Sequence, residues 1–364
     1  MKHPILLFTL LFTTFLLVAC GGNEPETSAD NNSSTIGSEE NNAPENSQQT
    51  DEESIPLQVY TTLYPLEEFT SRIGGDLVNV VNIIPPNSDA HSFEPTANQM
   101  IDIAESDLFI INGAGFEGFA ERIQETLENE KARMVTVSEG IQLIDADEND
   151  IHDDHGENNH NENDHNEDHH NEDNHANNEI AEDLHNEDKH IDGDPHIWID
   201  PIRSIQIAEN IKEELIDLMP EAEEEFTANF KSLKDDLESL DQQFKDMREE
   251  VTKDVFVVSH AAYGYWEDRY EIHQVAISGL SPSNEPSIKQ IEEVINFVEE
   301  NEINFIVFEQ NIPANIAETV REQVGADALW LHNLESLTNE EIESGEDYFS
   351  LMKNNIKTLR IALQ

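Results

Sequence analysis

The sequence predicts an α/β protein of two small doubly wound parallel-sheet lobes joined by a long rigid linking helix. Three observations carry this. Short β-branched runs alternate with helical stretches, four strands in each half, which is the pattern of parallel sheets with right-handed crossovers. Between the halves lies a long polar stretch with an apolar stripe at three- and four-residue steps. The 364 residues suggest about two domains. Only 37% of them are hydrophobic, so part of the chain should be heavily solvated instead of packed.

The charge narrows the function. Seventy-nine acidic side chains face 19 basic ones, a net charge of −60. A phosphate backbone would be repelled, so nucleic acid is not an expected partner. The single cysteine, Cys20, excludes an intrachain disulfide and a Cys-rich zinc site.

The N-terminus gives that cysteine a purpose. Lys2 precedes an apolar run over 5–18, shorter than the about 20 residues a membrane span needs and of signal-peptide length. The run closes Leu17-Val18-Ala19-Cys20-Gly21, similar to a bacterial lipobox. We therefore expect a lipoprotein signal peptide over 1–19, with Cys20 as the lipidated residue. Residues 20–54 are Asn-, Ser-, Glu- and Asp-rich and read as a disordered acidic tether, reaching on the order of 30 Å. The expected location is the extracytoplasmic face of the cell membrane, lipid-anchored.

The N-terminal lobe is expected over 55–219. Its strands are placed at 57–63, 78–84, 108–112 and 134–138, with helices at 65–73, 96–104 and 118–129 between them. The segment 147–193 interrupts it with nine histidines: His152, His155, His160, His165, His169, His170, His175, His185 and His190. Histidine-rich tracts are a compositional sign of metal binding, and irregular spacing among carboxylates points to weak, multi-ion contact instead of one defined site. The linking helix is placed at 220–251, with Pro220 in its first turn. Phe226, Phe230, Leu233, Leu237, Leu240 and Phe244 form its stripe. A coiled-coil dimer is the alternative, but the stripe is short and not heptad-strict; a monomer is expected. The C-terminal lobe, 252–364, has strands at 255–259, 274–278, 304–309 and 328–331 and helices at 261–269, 287–301, 316–323 and 347–362.

Ligand sites in parallel α/β sheets lie beyond the carboxyl ends of strands. Four metal-capable side chains are placed to reach that region. His91 follows the second strand (PPNSDAHSFEPT), and His196 follows the His-rich segment (DPHIWIDP). His260 ends the fifth strand (VFVVSHAAYGYW), and Glu335 follows the eighth (ALWLHNLESLT). Two come from each half. Three imidazoles and one carboxylate make a closed N₃O set that suits tetrahedral Zn²⁺, whereas catalytic zinc usually keeps a position open for water. His273 and His332 read as hydrogen-bonded loop histidines. Glu309 also ends a strand and reads as a carboxylate behind the ligands or a helix cap, with direct ligation as the alternative. Gly113-Ala114-Gly115-Phe116-Glu117-Gly118 matches the dinucleotide fingerprint, but it follows the third strand instead of the first. It reads as a tight turn in the cleft wall.

Through HSFEPT, NGAGFEGF, DPHIWIDP, SHAAYGY and NLESLT with the following YFSLMKNN, the chain resembles the zinc-specific solute-binding lipoproteins of bacterial ABC importers over roughly 57–364. The resemblance implies two lobes, a rigid linking helix and a metal held in the cleft. It places His91, His196 and His260 on the three His ligands and Glu335 on the acidic fourth, where some zinc relatives use water or a loop His. Manganese relatives carry Glu where His260 stands. A His-rich insertion before DPH is also a habit of the zinc branch. The implied partners are a membrane permease and its cytoplasmic ATPase, with Zn²⁺ as the cargo and no chemistry done on it. The competing class is an extracytoplasmic zinc hydrolase, which would need an open coordination site with Glu309 or Glu94 as base; surface adhesion or metal buffering is a third.

Overall fold

The computed structural model describes residues 55–128, 130–145, 193–283 and 285–364. Cys20, the segments 1–19 and 20–54, and the nine histidines of 147–193 lie outside the described residues.

The elements run β1 (Leu57–Thr61), α1 (Tyr64–Gly74), β2 (Val78–Asn82), α2 (Ala97–Glu105), β3 (Leu108–Ile111), α3 (Ala120–Leu127) and β4 (Arg133–Thr136). A 3₁₀ turn at Ile197–Ile199 leads into α4 (Pro201–Leu218), and a second at Pro220–Ala222 leads into α5 (Glu223–Glu250). Then follow β5 (Val255–His260), α6 (Gly264–Tyr270), β6 (His273–Ser278), α7 (Ile288–Glu300), β7 (Phe305–Glu309), α8 (Asn315–Val324), β8 (Asp327–Leu331), α9 (Asn339–Ser344) and α10 (Tyr348–Ala362). All eight expected strands are present. They form two four-stranded parallel sheets of identical order, β2-β1-β3-β4 and β6-β5-β7-β8. In each, the chain leaves the first strand in one direction and returns on its other side. The loops beyond β1 and β3, and beyond β5 and β7, therefore part to leave a crevice.

Local chemistry sets the boundaries. β3 is buried along its whole length, as a strand covered on both faces must be. Reciprocal capping boxes start α2 (Thr96 with Gln99), α7 (Ser287 with Gln290) and α9 (Thr338 with Glu341). Asp200 caps α4 ahead of Pro201. The sequence left α4 and α9 without bounds. It also began α6 three residues early, at 261: residues 261–263 stay with the second sheet, through Ala261 N–H to Gly279 O and Tyr263 N–H to the Gln274 side chain.

The stripe of α5 is buried within the chain, from Phe226 to Met247, against α4, α1, α10 and α6. This cover takes away the seam a coiled coil would need. One continuous apolar core runs from the first lobe through α4 and α5 to β5, α6 and α10. A smaller second core serves β7, α7 and α8. Polar ties cross between the lobes as well. The Trp266 indole donates to Ile199 O (3.0 Å), the Arg269 guanidinium to buried Asp200 (2.6 Å), and Asn87 N–H to Leu337 O (2.9 Å).

Candidate metal centre

His91, His196, His260 and Glu335 converge: one ligand atom from each lies within 4.8 Å of all the others. The three imidazole rings stand 5.0 to 5.4 Å apart. All four lie in the crevice, though only His260 and Glu335 sit close to the end of a strand.

His91 is carried by the long loop between β2 and α2. Asp89 bends that loop, its carboxylate accepting His91 N–H (2.9 Å) and Ser92 O–H (2.8 Å). The His91 Nε2 then meets Glu335 Oε1 at 3.1 Å. His196 sits just before the Ile197–Ile199 turn. Asp194 accepts its backbone N–H (2.9 Å) and faces its Nδ1 at 2.8 Å. A carboxylate only accepts, so the hydrogen belongs on Nδ1 and Nε2 presents a lone pair. That Nε2 is buried and has no hydrogen-bond partner; it lies 3.9 Å from Glu335 Oε1. A stranded buried polar atom costs about 1–3 kcal/mol, and a metal ligand is a role that explains it.

His260 closes β5, whose neighbour β7 ends in Glu309. Its Nδ1 faces Glu309 Oε1 at 3.3 Å and its Nε2 faces Leu280 O at 2.9 Å. Glu335 is aimed by a strained turn. Leu334, fully buried, holds φ at +65°, a conformation that costs an L-residue about 1–2 kcal/mol. The bond from Leu334 N–H to His332 Nδ1 (2.8 Å) keeps it there. The Glu335 carbonyl accepts Tyr64 N–H (3.1 Å), tying this C-lobe residue to the start of α1 in the other lobe.

The electrostatics separate the four. Burial pushes the Glu335 carboxyl up, but the imidazoles, His91 first, outweigh it and hold it at about 2. Burial lowers His196 below the usual imidazole range, more than Asp194 raises it. Burial also works to lower His260, yet the Glu309 carboxylate prevails and lifts it to about 9. The group thus offers a permanent carboxylate, a neutral imidazole at His196 and a cationic one at His260.

The surroundings are aromatic. The Phe116 ring lies 4.8 Å from His91, tilted against it, and Trp198 lies 5.3 Å from His196, its indole N–H bonded to Asn333 O. The glycine-rich turn places Phe116. Gly113 stands at φ +81°, and a Cβ there would run into Thr136 at 2.2 Å. Buried Glu117 staples the turn, accepting Asn112 N–H, Gly113 N–H and Thr62 O–H. The segment is a cleft wall. Of the carboxylates considered beside the site, Glu94 is exposed and paired with Arg122, and Glu309 faces His260 instead of capping α8. His332 bonds Glu341, and His273 pairs with Glu267. The sequence reading missed Asp194, whose signal lay in the DPH triplet itself.

A family model described as the zinc-uptake complex component A, periplasmic (ZnuA), matches residues 59–362. The chain belongs to the ZnuA family. It is 31% identical over 305 residues to the zinc-binding lipoprotein AdcA of Streptococcus pneumoniae, covering 84% of this chain and 55% of the relative. It is 29% identical over 357 residues to the high-affinity zinc uptake system protein ZnuA of Bacillus subtilis, covering 98% and 97%. The chain therefore spans about half the length of the AdcA relatives it matches. The crystal structure of the Zn(II)-bound ZnuA-like domain of S. pneumoniae AdcA superposes with a TM-score of 0.65 at 28% identity, over 85% of this chain and 99% of that one. Among the described residues, no helix is long and apolar enough to cross a membrane.

Proposed function

We propose that the chain is the extracytoplasmic zinc-binding component of an ABC importer. It captures Zn²⁺ through His91, His196, His260 and Glu335 and delivers it to a membrane permease driven by a cytoplasmic ATPase. The observation that carries this reading is the convergence of three imidazoles and one carboxylate within 4.8 Å, with the Nε2 of His196 buried and unpartnered. Imidazole with carboxylate suits Zn²⁺, and four protein donors fill a tetrahedral ion completely. That leaves no position for a reactive water, and neither Glu309 nor Glu94 stands ready as a base, so binding is favoured over hydrolysis. The relatives named for zinc binding and zinc uptake support the same ligand. The protein acts as a monomer anchored through lipid on Cys20, with the acidic His-rich segment 147–193 as a low-affinity zinc collector.

Metal analysis of three purified forms tests this. The full chain should hold one tight zinc and several weak ones. Deleting 147–193 should remove only the weak ones, and His260→Ala should remove the tight one. A tight ion that survives His260→Ala, or is lost with the segment, overturns the assignment.

A further inference from the structure

Glu309 is fully buried at the end of β7, and the one charged group against it is the His260 ring. Three hydrogen-bonding groups surround its carboxylate. Ser259 O–H donates to Oε2 (3.0 Å), Tyr263 O–H donates to Oε1 (3.2 Å), and His260 Nδ1 faces Oε1 (3.3 Å). Burying a carboxylate this way is expensive, and among the described residues it caps no helix and meets no Lys or Arg; its charge acts on the His260 ring. On its other side, His260 is held by the Leu280 carbonyl at Nε2. Both neighbours accept hydrogen bonds. A ring that ligates a metal keeps a hydrogen on one nitrogen only, so the two acceptors compete to decide which nitrogen is free. Resting on the metal-binding reading above, we propose that Glu309 is a positioning residue that fixes the hydrogen on Nδ1 of His260 and so turns Nε2 into the metal donor.

Charge decides the competition. A carboxylate holds an N–H about twice as strongly as a neutral carbonyl does. Ser259 and Tyr263 keep that carboxylate from rotating away. The Leu280 carbonyl alone would select the opposite tautomer, in which Nε2 carries the hydrogen and cannot ligate. Asp194 plays the matching part at His196, so two of the three imidazoles are oriented by a carboxylate.

Glu309→Gln is the test, made in the full chain. The amide keeps the size and one acceptor but loses the charge. With its NH₂ toward His260 it donates to Nδ1 and installs the wrong tautomer, which Leu280 then satisfies. Measured above pH 9, where the parent ring is neutral too, zinc affinity should fall roughly 10- to 100-fold, while the melting temperature with chelator present stays near that of the parent. Bound Co²⁺, as a spectroscopic stand-in, should lose visible intensity as His260 leaves its four-coordinate shell. If Glu309→Gln binds zinc and Co²⁺ as the parent does while His260→Ala does not, the positioning role is refuted and the metal site stands. If His260→Ala itself binds like the parent, the metal site falls and this inference with it. Should Glu309→Gln fail to fold, Tyr263→Phe decides. That variant releases the carboxylate without removing it, and a severalfold loss of zinc affinity supports the role, whereas an unchanged affinity overturns it.

Discussion

Zinc capture should release a proton from His260 across the neutral range, and its affinity should rise with pH well beyond the ordinary imidazole range. The cause is the buried carboxylate facing Nδ1, which holds the ring protonated up to about pH 9. Zinc bound at Nε2 must displace the hydrogen now directed at Leu280 O. At pH 7 the ring lies two units below that midpoint, so removing the proton costs about 3 kcal/mol, a factor near one hundred in affinity. Each step of one pH unit between 6.5 and 9 should strengthen binding about tenfold. Competition titrations against a chelator at several pH values measure the slope, and calorimetry in buffers of different ionisation enthalpy counts the protons. The folding linkage runs the other way. A pKa raised in the folded state adds stability that is fully present below pH 6.5 and is lost as pH climbs through about 9. With chelator present, the melting temperature should therefore drift down over this window, while zinc affinity climbs. A zinc affinity that is flat from pH 6.5 to 9, with no proton released, would refute the coupling between His260 and Glu309.

Two more outcomes follow from the same site. Saturating zinc should raise the melting temperature by mass action, since 1,000-fold excess over Kd adds about 4 kcal/mol to the native state; calorimetric scans should show the gain in the full chain and little of it in His260→Ala. Three imidazoles should also place Zn²⁺ far above Mn²⁺, and His260→Glu should narrow that gap toward the harder ion, as a two-metal competition would reveal. A parent protein that prefers Mn²⁺ at equal concentration contradicts the nitrogen-rich donor set.

The fold was largely legible because parallel strands are short, apolar and β-branched, and each is followed by a polar helical stretch. Runs such as LFII at 108–111 and VFVVSH at 255–260 announce themselves. What escaped was decided by tertiary contact. Pro201–Leu218 carries a clear start at Asp200, yet its apolar face has meaning only against α5 and α1. The lobes looked separate in the sequence. In space one core joins them, and Glu335 is anchored by Tyr64, a residue of the opposite lobe.

The four converging side chains could be picked out one by one as metal-capable groups in separate segments, although only His260 and Glu335 lie close to a strand end. Their inequality could not be found that way. From sequence, the three histidines are alike and should all titrate near pH 6.5. In the structure, His196 is lowered by burial while His260 is raised by a carboxylate 49 residues further along. The difference comes from strand order. Because β7 lies beside β5, Glu309 finishes next to Ser259 and His260, whereas His196 meets a carboxylate only two residues away, in Asp194. A local carboxylate and a distant one face Nδ1 of the two rings. Only the distant one, together with Glu335, leaves its imidazole charged at neutral pH, and under the proposed function that charge should make zinc capture a proton-releasing event.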